Sequence, residues 1–313
     1  MKRVAFMFPG QGSQNVGMGK QFYDADPDVA EMFHQADQLL DKPLTNVMFN
    51  GPKETLTATE NAQPALLLAS MAAHTQLVKE GIEPVMAVGH SLGEYSALVA
   101  AGSLTFAEAI PLVNARGRLM EEAFPGGEGT MAAVIGLDEA KIQQTLAELD
   151  STDIVDIANL NCPGQIVISG TKKGIRTVTP LLKERGARRV IPLNVSGPFH
   201  SRLMASANEA LTEKLNNIHI QDATIPVYAN VSAEPITDKA QIKESLLRQL
   251  YSPVRFEESI RNMLKEDIAA FVELGTGKVL SGLVRKIDRN IKTFAIQDPE
   301  SLRDFISWYK GVS

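Results

Sequence analysis

Short apolar runs alternate with longer amphipathic stretches along most of this chain of 313 residues. We interpret the short runs as buried strands, at residues 4–8, 85–88, 225–228, 269–273 and 293–296. The intervening stretches carry apolar residues at helical spacing. The predicted helices are residues 27–40, 61–79, 93–101, 106–124 and 301–309, with two more that start at residues 201 and 278. Strands that alternate with helices in this way are typical of a mostly parallel sheet covered by helices.

The middle of the chain follows a different order. Strands are predicted at residues 131–135, 154–159, 165–169 and 188–193, and helices at residues 138–149 and 172–185. This βαββαβ order is typical of a ferredoxin-like unit. Chain breakers lie on both sides of it, at Pro125-Gly126-Gly127 and at Ser196-Gly197-Pro198. We therefore predict a small domain at residues 124–196, inserted into a discontinuous larger domain of residues 1–123 and 197–313.

Composition excludes several classes of protein. With 31 Lys and Arg against 37 Asp and Glu, the net charge is −6, which disfavours a protein that coats nucleic acid. The single Cys162 leaves no partner for an intrachain disulfide and excludes a cysteine-based metal cluster. The apolar run at residues 4–8 is too short for a secretory signal, and no uninterrupted apolar stretch is long enough for a membrane span. We expect a cytoplasmic protein with no nucleic-acid partner and no membrane association.

The strongest local motif is Gly89-His90-Ser91-Leu92-Gly93, which fits G-x-S-x-G between a predicted strand and a predicted helix. In that context a serine lies on a tight strand-to-helix turn with its hydroxyl exposed. The N–H of the next residue, Leu92, is positioned at the helix start to donate to an oxyanion. The structural alternative is a turn that merely needs two glycines, but the strand and helix on either side favour a nucleophile.

A serine nucleophile needs a base, and the chain has five histidines. His34 and His74 fall inside predicted helices, and His219 lies near a loop without a partner pattern. His90 adjoins the serine, but we expect its side chain to leave the turn in another direction. His200 lies in a loop at the seam between the two predicted domains, where clefts form. It is our candidate base, and the alternative is a residue at a helix N-terminus with no catalytic role.

Two glycine-rich segments match phosphate-binding loops only in part. Gly10-Gln11-Gly12-Ser13-Gln14-Asn15 has Asn15 where G-x-G-x-x-G requires its third glycine. Gly275-Thr276-Gly277-Lys278 has Val272 where a Walker loop requires its first glycine. We expect neither segment to bind a nucleotide. Both are predicted to form tight loops after a strand, where backbone can approach a ligand.

Eight motifs occur along the chain in a fixed order. They are Phe8-Pro9-Gly10-Gln11-Gly12-Ser13-Gln14, Gln63-Pro64-Ala65, Gly89-His90-Ser91-Leu92-Gly93-Glu94, Arg116-Gly117-Arg118-Leu119-Met120, Asn159-Leu160-Asn161-Cys162-Pro163-Gly164-Gln165, Gly197-Pro198-Phe199-His200-Ser201, Gln249-Leu250-Tyr251-Ser252-Pro253-Val254 and Glu273-Leu274-Gly275-Thr276-Gly277-Lys278-Val279-Leu280. With this set in this order, the chain resembles the malonyl-CoA:acyl carrier protein transacylases over nearly its whole length. The resemblance implies an α/β fold with an α/β-hydrolase-like large domain and a ferredoxin-like insertion, which agrees with the predicted segments.

The resemblance also implies the roles of the reacting groups. Ser91 is expected to carry the acyl group, and His200 to act as its base and then as an acid. A backbone carbonyl near Gln249 is expected to orient the histidine in place of a third, carboxylate member. The backbone N–H groups of Gln11 and Leu92 are expected to form the oxyanion hole.

A further implication concerns the acyl group itself. The family's Arg-Gly motif selects Arg116 as the residue that binds the malonyl carboxylate. Spacing alone would not choose between Arg116 and Arg118, two positions further along. Gln63, Asn159 and Asn161 match polar positions near the family's site.

Together these residues imply ping-pong acyl transfer by a monomer, from malonyl-CoA to the phosphopantetheine thiol of acyl carrier protein in fatty acid synthesis. No metal or redox cofactor is expected. Two alternatives stay open, a hydrolase such as a thioesterase on the same turn and a noncatalytic module that binds carrier protein. An acyl carrier protein is typically acidic, so an acidic enzyme needs a local basic patch to bind it. The candidate patches are Lys183, Arg185, Arg188 and Arg189 on the small domain, and Lys278, Arg285, Lys286 and Arg289 on the large one.

Overall fold

A computed structural model describes residues 2–311. Its strands are β1 (Val4–Phe8), β2 (Met86–Gly89), β3 (Gly129–Ile135), β4 (Val155–Cys162), β5 (Gln165–Thr171), β6 (Arg189–Pro192), β7 (Val227–Tyr228), β8 (Pro235–Ile236), β9 (Ala270–Leu274) and β10 (Lys292–Ile296). Its α-helices are α1 (Lys20–Ala25), α2 (Pro27–Leu40), α3 (Leu44–Asn50), α4 (Lys53–Thr57), α5 (Thr59–Lys79), α6 (Leu92–Ala100), α7 (Phe106–Glu122), α8 (Glu139–Leu146), α9 (Lys172–Glu184), α10 (Asn208–Asn216), α11 (Lys239–Gln249), α12 (Phe256–Met263), α13 (Val279–Ile287) and α14 (Pro299–Lys310). None of the helices in this range combines the length and the apolar character that a membrane span requires.

Strands from the two ends of the chain form one six-stranded sheet in the order β10-β9-β1-β2-β7-β8. Its first five strands run parallel, and β8 is antiparallel to β7. In the centre, Phe6 of β1 pairs with Ala87 of β2 on one side and Val272 of β9 on the other. The mostly parallel sheet predicted from the alternating pattern is confirmed.

Alternate residues of β1 pack on opposite faces of this sheet. Phe6 and Phe8 are buried in an apolar cluster with residues of α2, α5 and α7. Ala5 and Met7 are buried in a second cluster with residues of α12 and α13. Because helices cover both faces, a central strand is apolar at every position and does not alternate with polar residues.

The middle of the chain forms a separate antiparallel sheet in the order β4-β5-β3-β6. Strand β3 pairs with β5 and with β6, and β4 pairs with β5. Helices α8 and α9 contribute Ile142, Ile175 and Val178 to an apolar cluster of its own. This arrangement confirms the ferredoxin-like unit predicted from the βαββαβ order.

Backbone hydrogen bonds join the small sheet to the loop between α11 and α12. The N–H of Leu160 in β4 donates to the carbonyl of Val254 at 2.9 Å, and the N–H of Val254 donates to the carbonyl of Ala158 at 2.8 Å. Strand β4 is therefore covered at its outer edge, whereas β6 at the opposite edge is largely exposed. This pairing holds one edge of the small sheet against the large domain, and residues of both parts of the chain line a cleft.

Several elements differ from the sequence-based expectations. The helix expected from residue 201 begins as a 3₁₀ helix, Arg202–Ala207, before α10. The strand expected at residues 225–228 is reduced to β7, because only Val227 and Tyr228 pair with neighbouring strands. Helices α1, α3, α4, α11 and α12 and strand β8 were not predicted. Three of these helices have seven residues or fewer, too few turns for a helical period to register.

Candidate active site

Ser91 lies on the turn between β2 and α6, with backbone angles φ 52° and ψ −106°. The turn is tight because its flanking residues have no side chains. A Cβ on Gly89 would lie 1.8 Å from the carbonyl carbon of Gly93, and a Cβ on Gly93 would lie 1.9 Å from the carbonyl oxygen of Phe8. The G-x-S-x-G motif therefore has the strand-to-helix geometry that presents a serine as a nucleophile.

His200, with φ 58°, is the hydrogen-bond partner of this serine. Its Nε2 lies 2.7 Å from Ser91 Oγ, and its Nδ1 lies 2.9 Å from the backbone carbonyl oxygen of Gln249. Because a carbonyl can only accept, Nδ1 carries the proton and Nε2 accepts from the serine hydroxyl. Burial, reinforced by the positive charge of Arg116, lowers the pKa of His200 to about 3. The imidazole is therefore neutral at pH 7, as a general base must be.

The guanidinium of Arg116 lies beside the nucleophile, and the residue is 1% exposed. Nη1 donates to Gln63 Oε1 at 2.8 Å, and Nη2 donates to Gln249 Oε1 at 2.9 Å and to Ser91 Oγ at 3.2 Å. The guanidinium also lies over the ring of Tyr95, 5.3 Å from its centre. Nε has no hydrogen-bond partner among the described residues. Since the oxygens that accept from Arg116 belong to neutral groups, no anion of the described residues is hydrogen-bonded to the guanidinium.

The structure separates the two arginines that helical spacing leaves equivalent. Arg116 points into the site, whereas the side chain of Arg118 is exposed and its Nε lies 3.9 Å from Glu122 Oε1. Arg116 is therefore the arginine that can meet an acyl group on Ser91.

Two backbone N–H groups are candidates for an oxyanion hole. Leu92 is the first residue of α6, so its N–H has no carbonyl partner within the helix. Gln11 lies in the loop after β1, and its side-chain Nε2 donates to Thr59 Oγ1 at 3.3 Å. This loop packs directly on the nucleophile turn, since a Cβ on Gly10 would lie 2.3 Å from the carbonyl oxygen of His90. The role of both N–H groups stays a prediction that this placement supports.

The remaining predicted polar residues lie around the same cleft. Asn161 Oδ1 lies 2.8 Å from His90 Nε2, which holds that ring away from the nucleophile, as expected. Asn159 lies on β4 and lines the cleft. Gln63 contacts Arg116 and also donates to the sulfur of Met120 at 3.3 Å.

A cavity of about 460 Å³ lies in the cleft between the two sheets. Its size is that of a small-molecule site, and its wall combines apolar side chains with polar ones. The residues that line it are Gly10, Gln11, Gly12, Ser13, Gln14, Thr57, His90, Ser91, Met120, Met131, Ala133, Asn159, Asn161, Gln165, Val167, Leu193, Asn194, Val195, Phe199, His200, Val279, Leu280 and Leu283. Ser91 and His200 therefore face a space that can hold an acyl group and part of the arm that carries it.

Two buried polar residues behind the nucleophile had no predicted role. Asn230 Oδ1 accepts from the N–H of Ser91 at 2.8 Å, and its Nδ2 donates to the carbonyl of Gly89 at 2.6 Å. Glu94 accepts from the N–H of Asn230 at 3.0 Å and from Gln249 Nε2 at 2.8 Å. Burial raises the pKa of Glu94 to about 7. Glu94 could have been found from the sequence, because it is the one charged residue of helix α6. Asn230 follows a two-residue strand, and the sequence offers no signal for it.

The second glycine-rich loop, at residues 275–277, supports the first. The Glu273 carboxylate accepts from two backbone N–H groups at the start of α13, at 2.8 and 3.0 Å. A carboxylate thus occupies the helix N-terminus that a nucleotide phosphate would need. Thr276 Oγ1 accepts from Asn15 Nδ2 at 2.7 Å, which joins the loop to the one that carries Gln11.

The chain has extensive similarity to known proteins. A family model described as acyl transferase domain matches residues 5–296. A malonyl CoA-acyl carrier protein transacylase of Bacillus subtilis is 53% identical over 303 residues, which are 96% of each chain. An acyl carrier protein S-malonyltransferase of Vibrio cholerae has a TM-score of 0.94 at 41% identity, over 97% of this chain and 99% of that one. A structure of a type II PKS acyl-carrier protein in complex with its malonyl-transacylase has a TM-score of 0.95 at 39% identity, over 99% of both chains. This chain therefore belongs to the acyl transferase family, among the malonyl CoA-acyl carrier protein transacylases.

Proposed function

We propose that this enzyme transfers the malonyl group from malonyl-CoA to the phosphopantetheine thiol of an acyl carrier protein, for use in fatty acid synthesis. The observation that carries the proposal is the buried guanidinium of Arg116, 3.2 Å from Ser91 Oγ. A buried cation whose partners are neutral favours an acyl group with a negative charge, and malonyl adds one carboxylate to the acetyl skeleton. The names of the relatives in Bacillus subtilis and Vibrio cholerae agree with this substrate.

In the first half-reaction, Ser91 Oγ attacks the thioester carbonyl while its proton passes to Nε2 of His200. The N–H groups of Gln11 and Leu92 stabilise the tetrahedral oxyanion. Collapse of this intermediate breaks the carbon–sulfur bond, and the CoA thiolate leaves with the proton from His200. The carbonyl of Gln249 holds the imidazole in one orientation throughout, through its contact with Nδ1.

The second half-reaction is the reverse with a different thiol. The phosphopantetheine thiol gives its proton to His200 and attacks the malonyl ester. The ester bond breaks, Ser91 Oγ takes the proton back, and the malonyl thioester leaves on the carrier protein. One base therefore serves both steps, as expected for ping-pong transfer.

Transfer differs from hydrolysis only in the acceptor of the acyl group, so one experiment separates the candidate functions. Intact-protein mass is measured after mixing with malonyl-CoA, before and after holo acyl carrier protein is added. An adduct that persists and is then lost to the carrier protein supports transfer. Rapid release of free malonate supports a hydrolase, and absence of any adduct supports a noncatalytic carrier-binding module.

For carrier-protein docking, we favour the basic patch around α13. Its members are Lys278, Arg285, Lys286 and Arg289. Lys286 Nζ donates to Gln165 Oε1 at 3.0 Å, and Gln165 lines the cavity, as do the first residues of α13. In the other patch, Arg185 is ion-paired with Glu148, so part of its charge is already compensated. The α13 patch therefore places positive charge beside the cavity, where an acidic carrier protein must bring its arm.

The proposed organisation of the chain follows the same cleft. We retain residues 124–196 as the inserted domain and residues 1–123 with 197–313 as the catalytic domain, so that the cavity lies at their seam. We propose a monomer as the active unit, because the contacts of Ser91 with His200 and Arg116 are formed within a single chain and need no second copy. The single cysteine supports the expected cytoplasmic location.

A further inference from the structure

Glu94 is a buried carboxylate that the steps above do not use. Its Oε2 accepts from the N–H of Asn230 at 3.0 Å and from Gln249 Nε2 at 2.8 Å, and its Oε1 accepts from Ser245 Oγ at 3.4 Å. Because all three partners donate, the network suits a carboxylate that only accepts. A carboxylate this deeply buried needs a compensating positive charge, since desolvation alone is costly.

Arg116 supplies that charge, and the amide of Gln249 lies between the two groups. Gln249 Nε2 donates to Glu94, so its Oε1 faces Arg116 and accepts from Nη2 at 2.9 Å. Guanidinium and carboxylate are thus connected through one neutral amide. Glu94 therefore balances the charge of Arg116 without a direct hydrogen bond to it. Among the described residues, no carboxylate accepts from the N–H groups of Arg116.

Other titratable groups around this network stay neutral at physiological pH. Tyr95 follows Glu94 on α6 and lies against Arg116, and burial raises the pKa of Tyr95 to about 12. His200 lies on the nucleophile side of Arg116, and burial keeps its imidazole unprotonated. Helix α11 and the turn after β7 present neutral groups to Glu94, which are Ser245, Gln249 and Asn230.

We propose that Glu94 sets how tightly the site holds an acyl carboxylate, an inference that rests on the function proposed for Arg116. In the free enzyme, Arg116 and an ionised Glu94 sum to zero charge. A malonyl carboxylate on Arg116 adds a second negative charge to a buried site with one positive charge. When Glu94 takes up a proton, this excess negative charge is removed. When Glu94 stays ionised, the site holds the malonyl ester less tightly. Glu94 thereby prevents over-stabilisation of the malonyl ester, which would slow its onward transfer.

The wild-type enzyme tests this without any substitution. At a fixed ratio of acyl-CoA to free CoA, the equilibrium fraction of malonyl-Ser91 should fall as pH rises from roughly 6 to 9, by at most about tenfold per pH unit. Burial raises the pKa of Glu94 to about 7, and the added malonyl carboxylate raises it further. Malonylation therefore takes up a proton in this pH range, and a rise in pH disfavours the malonyl ester. The acetyl ester brings no carboxylate, so its fraction should change only through ionisation of the CoA thiol that both reactions release. The malonyl fraction is therefore read relative to the acetyl fraction at each pH.

Glu94→Gln removes the charge while it keeps the acceptor. Its amide oxygen can still accept from Asn230 and Gln249, and its NH₂ can donate to the hydroxyl of Ser245. At pH 8, where Glu94 is mostly ionised in the free enzyme, we expect KM for malonyl-CoA and kcat to fall together by up to about tenfold, and at pH 7 by about twofold. The pH dependence of malonylation should disappear, and acetyl loading should stay unchanged. The control is Glu273→Gln, at another buried carboxylate. Its new NH₂ faces one of the two backbone N–H donors, so loading rates are expected to fall for both acyl groups, but the malonyl-to-acetyl ratio and its pH dependence should be preserved.

The outcomes separate the two levels of the proposal. A malonyl fraction independent of pH in the wild type would overturn the role of Glu94, and that measurement decides even if Glu94→Gln does not fold. A Glu94→Gln enzyme with a raised KM for malonyl-CoA, or with equal changes for malonyl and acetyl, would also overturn it. A wild type that forms no malonyl ester at any pH would instead overturn the proposed function.

Discussion

Arg116→Ala removes the group on which acyl selection is proposed to depend. A malonyl carboxylate would accept two charge-assisted hydrogen bonds from the guanidinium, each contributing about 1.5–3 kcal/mol. Their loss predicts about 3–6 kcal/mol less transition-state stabilisation, or roughly two to four decades in kcat/KM for malonyl-CoA. Acetyl loading does not suffer this loss, because acetyl offers the guanidinium no carboxylate even in the wild type. The malonyl-to-acetyl ratio of kcat/KM should therefore fall by about two to four decades.

The assay is single-turnover loading of the enzyme from malonyl-CoA and from acetyl-CoA, read by intact-protein mass after rapid quenching. Arg118→Ala is the matched control, since this arginine lies on the same helix but is exposed, and both rates should stay within about twofold. Arg116→Lys should be intermediate at best, because an ammonium cannot reproduce the planar pair of donors. An unchanged malonyl-to-acetyl ratio in Arg116→Ala would refute the placement of the carboxylate on Arg116.

The nucleophile, the base and the docking surface each have a test of their own. Ser91→Ala should abolish the malonyl adduct in intact-protein mass while circular dichroism shows a preserved fold; an adduct on this variant would exclude Ser91 as the nucleophile. His200→Ala should slow acylation by about two to four decades in quenched-flow measurements. Because burial lowers the pKa of His200 to about 3, the imidazole stays unprotonated as the pH falls. The rate constant for acetyl loading, in which Glu94 takes no part, should therefore be flat from about pH 8 to about pH 5. A decline centred at the ordinary pKa of histidine would contradict this. In steady-state assays, Lys286→Glu should raise the KM for carrier protein and leave the KM for malonyl-CoA unchanged. Arg188→Glu, in the other patch, should change neither KM. The reverse pattern would place docking on the small domain.

The main architecture could be predicted because both sheets leave periodic traces in the sequence. The two missed helices of the C-terminal half also carried signals. Asp238 accepts from the N–H groups of Ala240 and Gln241 at the start of α11, a cap that its residue type favours. Helix α12 buries Phe256 and Ile260 on one face, four residues apart. Helix α11 is mostly polar and α12 has eight residues, so neither was separated from the neighbouring loops.

The candidate site could be predicted only where its geometry is local. Ser91 lies in a five-residue turn, and His200 directly follows the chain breakers that mark the seam. Arg116 required the family resemblance, because its position depends on how closely α7 packs on α5; a Cβ on the adjacent Gly117 would lie 2.6 Å from the carbonyl oxygen of Thr59. The contact between Glu94 and Asn230 joins positions 136 residues apart, which no local pattern encodes.

Ser91 and His200 both have a positive φ, of 52° and 58°, which L-amino acids seldom adopt. Each such residue stores about 1–3 kcal/mol of conformational strain that the rest of the fold must offset. Glycine has no Cβ and adopts these angles without that strain. The inactive variants Ser91→Gly and His200→Gly should therefore unfold at higher temperatures than Ser91→Ala and His200→Ala. The backbone strain at the catalytic pair is therefore a stability cost that the geometry of the reaction imposes on the fold.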